Sequence, residues 1–524
     1  MQKLFSWLDQ HFLTLAAGFL LVFIPLYPKW PLFDILPGYN VRVRLEDILI
    51  VAINLYFLIQ VIRKKIKIKQ APLLKPIILY LIIGFLSTLS AIFITKTVYP
   101  EWIQIAKVFL HWFRRLEYFS LFFIFFFALK NSKQILTYIY LLMFTIFSVS
   151  VYGFGQKYLY WPAYSTMNRE FSKGIALYLT EHARVLSTFG GHFDLAGYIM
   201  ITLIPLIIIA FIYEKKLVRY LAAVIAILEY WLLILTASRA SWIAFIFGLT
   251  VAFGLLIIKK KFIWAFSRWL LVISFSFFIM LSFGDLSERF SHIFKLEGVK
   301  EILLKPFRSP PENDLALNPN LTPQQQLDLV ATQTDIPPST QKNIAKPADV
   351  YDDTYEKLQA YLATVSGEVF NVNYSANALK YGLSAGIRMD TLWPNAINAL
   401  KQNPLLGTGY STLVKAHVWE FTIAESTDND FLRLLGETGL LGFASFMLIL
   451  GTIIKILWRA FKTTANTLHY ALFGSGIAVT IGLLINAVYI DVFEASKIAY
   501  TYWSLIGLLL ALAVLTKKHE KKSS

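Results

Sequence analysis

Between Ser426 and Gly442 the chain reads STDNDFLRLLGETGLLG, which sets ionisable side chains at the mouth of a hydrophobic helix, directly after the longest hydrophilic segment. Asp428, Asn429 and Asp430 are expected at a membrane surface, with Glu437 two turns further on, so that carboxylates meet a ligand arriving along the bilayer. A carboxylate so placed can take a proton from a reacting hydroxyl, and a neighbouring amide can orient it. Asp428 and Asn429 are therefore the catalytic candidates, while Asp430 and Glu437 are candidates for acid–base or acceptor contact. The same residues suit a helix cap, because Asp and Asn satisfy the free N–H groups of a first turn. Position after a long loop speaks for a site. His417 lies close by as a further acid–base candidate, against the ordinary alternative of a solvated loop histidine.

Cations that would answer an anionic ligand recur in other loops. Arg239 sits in the turn TASRASW between two apolar runs, with Ser238 and Ser241 beside it. A guanidinium fixed there can hold phosphate through its planar fork, with hydroxyls adding hydrogen bonds; the alternative is an interfacial anchor reaching to lipid head groups. Arg388, near Asp390, precedes an amphipathic stretch and is either a second anion ligand or a solvated surface charge. Arg184 leads into another apolar run with His192 and Asp194, which equally suit a cap. The turn NPLLGTGY from Asn403 to Tyr410 lacks the rest of any nucleotide-binding fingerprint and reads as a tight bend that lets backbone approach a neighbour. Paired histidines at helical spacing and compact carboxylate clusters are missing, so neither a metal nor a cofactor is expected. Glu229, inside an apolar run, marks a polar pathway or reaches the outer interface.

The elements that must position these residues follow from composition. Of 524 residues 56% are hydrophobic and 16% charged, with a mean hydropathy of +0.57, far from the charge content of a soluble domain. Apolar runs of about 20 residues suit helices that cross a bilayer, and a barrel would show short alternating segments instead. The expectation is an all-α membrane protein of about twelve transmembrane helices, near 12–27, 45–62, 76–95, 112–129, 134–152, 195–213, 218–236, 240–258, 262–282, 437–458, 470–490 and 498–516, with a large extracytoplasmic loop between the ninth and tenth spans. Leu13–Tyr27 lacks the features of a cleaved leader and reads as a retained first span. The net charge of +16 lies in short Lys and Arg clusters between alternate runs, which sets both termini in the cytoplasm and argues against a nucleic-acid partner. Cysteine is absent, excluding disulfides and thiolate chemistry.

The expected organisation is a first bundle over 1–282, the loop over 283–436, three last helices over 437–516 and a basic cytoplasmic tail over 517–524. Within the loop, 306–349 is rich in Pro, Asn, Gln and Thr and reads as a disordered insertion. By contrast 375–401 carries apolar residues at helical spacing and predicts one or two short helices, interrupted or restarted at Pro394. Lys107, Arg114, Arg115 and Glu117 suggest an interfacial helix feeding the fourth span.

On these residues the chain resembles the O-antigen ligase and polymerase superfamily of polytopic membrane glycosyltransferases. Asn429, nine residues, Gly439, two residues and Gly442 repeat the spacing of its hallmark, whose preceding histidine is Asp428 here. Thr236 to Arg239 is similar to the family's Ser-Arg turn, and Arg388 with Trp393, Asn403-Pro404 and Gly407 to Gly409 resemble its loop pattern. The resemblance implies transfer of glycan from a polyprenyl-diphosphate carrier to a lipid, glycan or protein acceptor, in contact with membrane lipids, on the outer side of the cytoplasmic (inner) membrane. Arg239, Arg388 and Arg184 would then bind the diphosphate, Asp428 would take the acceptor's proton with Asn429 orienting it, and Trp242, Trp393, Tyr410 and Trp419 would stack on sugars. An ordinary aspartate is a weaker base than histidine at neutral pH, which leaves repeat-unit polymerisation open beside ligation. From another class, a multi-pass transporter or flippase would show paired broken helices and mid-membrane charges.

Overall fold

The computed structural model describes residues 2–36, 42–167, 171–180, 183–282, 375–413 and 426–523. They divide between two compact units: a larger one built from Met1–Met280 and Leu392–Ser524, and a smaller one that contains residues 375–391. His417, Trp419 and the 306–349 insertion lie outside the described residues.

The larger unit is a helix bundle. Its first nine long helices are α1 (Gln2–Leu26), α2 (Leu45–Ile62), α3 (Leu74–Phe93), α4 (Trp102–Ala128), α5 (Ile135–Tyr158), α6 (His192–Ile212), α7 (Lys216–Leu235), α8 (Arg239–Lys259) and α9 (Phe262–Ser282). A two-stranded antiparallel hairpin, β1 (Pro31–Asp34) with β2 (Arg42–Arg44), links α1 to α2. Among the described residues eleven helices are long and apolar enough to cross a membrane. The chain is thus an all-α, multi-pass membrane protein, as its composition implies.

Helix α4 explains why the apolar criterion finds eleven. It runs unbroken for 27 residues, yet carries Arg114, Arg115 and Glu117 near its middle. The interfacial helix and the fourth span expected separately are one element. Arg114 meets Asp47 and Glu117, each at 2.8 Å, and Arg115 pairs with Glu494, so the charges are neutralised by partners inside the bundle and the helix has no need to leave it.

The smaller unit holds α10 (Ala376–Tyr381) and α11 (Leu383–Ile387), followed by a π-helical turn, Arg388–Leu392. Ser375 caps α10 by accepting the Ala378 amide at 3.1 Å, and Asp390 accepts hydrogen bonds from Ser375 Oγ and Asn377 Nδ2. The larger unit resumes with α12 (Trp393–Gln402), whose first turn contains Pro394, where a missing N–H costs nothing. Then come α13 (Asp430–Thr463), α14 (Thr467–Asn486) and α15 (Ser496–Ser523).

The core of the bundle lies around α6, α14 and α15, whose apolar windows are 83%, 72% and 83% buried, against 11% for α9. Glycines permit close contact: a Cβ on Gly248 of α8 would stand 3.1 Å from Ala478 O of α14, and small residues at such crossings let helix backbones approach. Leu55, Ile62 and Ile263 keep more than half of their surface exposed, as expected where lipid, not protein, covers a helix.

Candidate active site

Three helix ends are stitched together at one end of the bundle. Ser241, in the first turn of α8, accepts a hydrogen bond at 3.1 Å from Nδ2 of Asn486, the last residue of α14. Ala487 O, one residue on, accepts the amide of Asp430, the first residue of α13, at 2.9 Å. The segment before α6 joins the same group, because the Val185 amide donates at 3.1 Å to Leu235 O at the end of α7. Arg184, Arg239, Asp428 and Asn429 therefore come from neighbouring chain ends, although up to 245 residues separate them in sequence.

Helix α13 breaks where the glycine spacing says it should. Gly439 has φ 67° and ψ −168°, outside the helical region. The Asn403–Tyr410 turn fills the break with backbone. Leu440 N donates to Pro404 O at 2.8 Å and Leu441 N to Leu405 O at 3.2 Å, while Thr408 N and Gly409 N donate to Gly436 O and Glu437 O at 2.9 Å each. A Cβ on Gly439 would come within 2.4 Å of Leu405 backbone, and one on Gly407, at φ 67°, within 2.5 Å of Glu437. The turn expected to let backbone approach a neighbour does so here, and Gly436 O and Glu437 O find donors of the kind a bilayer demands.

The short helical segment before that break carries a charge network. Arg433 reaches Asp491 at 2.9 Å, Glu437 at 3.3 Å and Glu494 at 3.9 Å. Arg115 of α4 pairs with Glu494 and stands 3.6 Å from Glu437. Its guanidinium lies 4.5 Å over the ring of Tyr410, and the Ser411 amide donates to Glu437 at 2.9 Å. Burial pushes the Tyr410 hydroxyl well above its ordinary range, with Tyr80 adding to the shift. A cavity of about 20 Å³ between Tyr80, Arg115, Asp430 and Glu494 has room for one water.

The mouth itself separates the two roles proposed for its polar residues. Asn429 is the cap: its Oδ1 accepts the Leu432 amide at 3.0 Å, and its Nδ2 donates to Val488 O at 2.9 Å. Asp428 has φ 49°, a left-handed conformation that aspartate tolerates better than most residues. Its carboxylate does not cap; Oδ1 lies 2.9 Å from Ser426 Oγ, which is also 2.7 Å from Asp491 Oδ2. Burial holds the Asp491 carboxyl above the usual carboxylate range; Arg433 opposes this and Asp428 reinforces it.

The remaining expectations divide. Arg239 opens α8 and is half-buried; among the described residues its guanidinium has no hydrogen-bond or ion-pair partner. Arg184 donates to His192 Nε2 at 2.8 Å, which requires the ring proton, if neutral, to be on Nδ1. Gly191 occupies the cap position of α6, and no side chain caps it. Arg388 belongs to the smaller unit, where it donates to Ser384 O at 2.7 Å. Asp430 and Glu437 turn inward, 3% and 2% exposed, Asp430 accepting the Phe493 amide at 3.0 Å. Trp242 and Tyr410 are likewise buried, Trp242 donating to Ser276 Oγ at 3.1 Å, so the expectation that both stack on sugars is corrected: packing has already used their faces. Glu229 is fully buried against Thr202 and does not reach the interface. Sequence reasoning missed Arg115, Arg433, Asp491 and Glu494 as a set. Their signal was charge inside or beside apolar runs at one end of the bundle.

Residues 221–447 match the model of the family described as O-Antigen ligase. The matched stretch takes in Arg239, the Asn403–Tyr410 turn, Asp428, Asn429 and the break at Gly439. A search of curated proteins found no match. With the bundle and the mouth of α13 described, the match makes residues 221–447 similar to the O-antigen ligase family, and it supports a ligase- or polymerase-type membrane enzyme.

Proposed function

We propose that the protein transfers glycan from a polyprenyl-diphosphate carrier to a hydroxyl of a lipid, glycan or protein acceptor, at the outer face of the cytoplasmic membrane, with both termini inside. The observation that carries this reading is the junction of α8, α13 and α14, which brings to one end of the bundle a carboxylate and, from a separate chain segment, a guanidinium that has no partner among the described residues. Arg239 stands at the positive end of the α8 dipole, where a cation is unfavourable and an anion is favoured. A diphosphate would relieve that charge.

In the proposed step the acceptor oxygen bonds to the anomeric carbon, the bond from that carbon to the diphosphate oxygen breaks, and the acceptor proton passes to Asp428. Asn429 fixes the backbone that presents Asp428. Arg239, with Arg184 from the segment bonded to the end of α7, takes up the charge that develops on the leaving diphosphate, a form of stabilisation that acts most strongly in the transition state. A metal is not required by this scheme. A diphosphate role for Arg388 is a separate proposal, which its own alanine variant tests.

The test is release of polyprenyl diphosphate by the purified protein in nanodiscs, supplied with a carrier-linked repeat unit, with and without added acceptor glycolipid. Release that Asp428→Ala abolishes supports the reading, and a ladder of products without acceptor marks polymerisation. Undiminished transfer by folded Asp428→Ala overturns it.

A further inference from the structure

A serine hydroxyl has one proton to donate. Around Ser426 Oγ stand three groups: the Asp428 amide at 3.0 Å, Asp428 Oδ1 at 2.9 Å and Asp491 Oδ2 at 2.7 Å. The amide donates to Oγ. The single O–H then serves one carboxylate, and the other contact is a hydrogen bond only when that carboxyl carries a proton and donates it to Oγ. Two ionised carboxylates would leave one oxygen–oxygen contact below 3 Å with no proton in it. One added proton closes the set.

We infer, building on the transfer reading above, that Asp428, Ser426 and Asp491 form one proton-sharing unit in which Asp491 is a positioning residue that acts through Ser426. When Asp428 takes the proton of the acceptor hydroxyl, it donates that proton to Ser426 Oγ, and the Ser426 O–H turns to Asp491. Arg433 Nη1 donates to the same Asp491 oxygen at 2.9 Å, which holds that carboxyl in place. The acceptor proton thus completes a hydrogen-bond set that lacks it. Such a pair titrates as a unit, not as two independent residues.

Among the described residues, the other charged and titratable groups around the unit are Asp430, Arg433 and Glu437 of α13, Glu494 beside Asp491, and Arg115, His111 and Lys107 on successive turns of α4. Among the described residues the ion pairs of this group join three carboxylates, Glu437, Asp491 and Glu494, to two guanidiniums.

Two readouts test the inference separately. In the pH profile of transfer, activity is present above the pair's midpoint and lost as pH falls through it. Ser426→Ala, which removes the bridge and leaves the Arg433–Asp491 ion pair in place, is expected to move that acid limb down by about one pH unit or more, as is Asp491→Asn. Ser426→Thr, which keeps a hydroxyl, restores it. The second readout needs no turnover: an infrared carboxylic-acid carbonyl band that titrates with the limb and is absent from both Asp428→Asn and Asp491→Asn. An acid limb that stays put in folded Ser426→Ala and Asp491→Asn, or a band indifferent to Ser426→Ala, overturns the shared proton. If no acceptor supports transfer, the infrared titration decides alone, so failure of the transferase reading and of the proton-sharing reading remain distinct.

Discussion

Arg433 and Arg239 each stand in the first turn of a hydrophobic helix at the same end of the bundle, and their surroundings are opposite. Arg433 is 6% exposed and committed to three carboxylates from α13 and the 491–494 segment. Arg239 is half-buried and, among the described residues, committed to none. Both pay the electrostatic cost of a cation near a helix N-terminus. At α13 that cost is offset within the protein, whereas at α8 it is left for something else to offset. Arginines that hold the scaffold and arginines that wait for a ligand can therefore be told apart by their partners, not by their position in the chain.

The sharpest way to break this contrast is Arg433→Ala. Removing one partner from a buried ion cluster leaves its carboxylates uncompensated, at a cost of about 3–5 kcal/mol. Denaturation of the protein in mixed micelles should show that loss, and a variant as stable as the parent would refute a scaffolding role. Arg239→Ala should leave the same denaturation curve within about 0.5 kcal/mol while transfer falls roughly 10²-fold, the scale seen when one preorganised charge-stabilising donor is lost. Equal losses of stability from both alanine variants would erase the distinction.

Smaller effects sharpen it. Gly439→Ala demands a left-handed alanine facing Leu405 backbone and should cost more than about 1 kcal/mol, with loss of the register between the 403–410 turn and α13; an unaltered denaturation curve would mean that the break tolerates a side chain. Asn429→Ala removes the α13 cap and should cost about 1 kcal/mol, less than Arg433→Ala. Arg239→Lys keeps the charge and loses the fork, so transfer should fall between the parent and Arg239→Ala. If lysine matches arginine, the guanidinium geometry has no part in the reaction.

Much of the architecture was legible in local sequence. Apolar runs of about 20 residues dictate membrane helices wherever they occur, because the cost of an unpaired backbone in hydrocarbon depends on the run itself. The glycines at 407 and 439 were visible as a spacing, and their φ values of 67° each supply its reason. What only the tertiary structure decided is the fate of charges and rings. Asp430 and Glu437 look like surface carboxylates until Phe493 and Ser411 are seen to supply their donors. Arg115 looks interfacial until Glu494, 379 residues away, is seen against it, and Tyr410 looks like a sugar platform until that same arginine covers its ring. Hydropathy is summed along the chain and can be read from it, but whether a charge is neutralised depends on partners that only folding brings within a few ångströms.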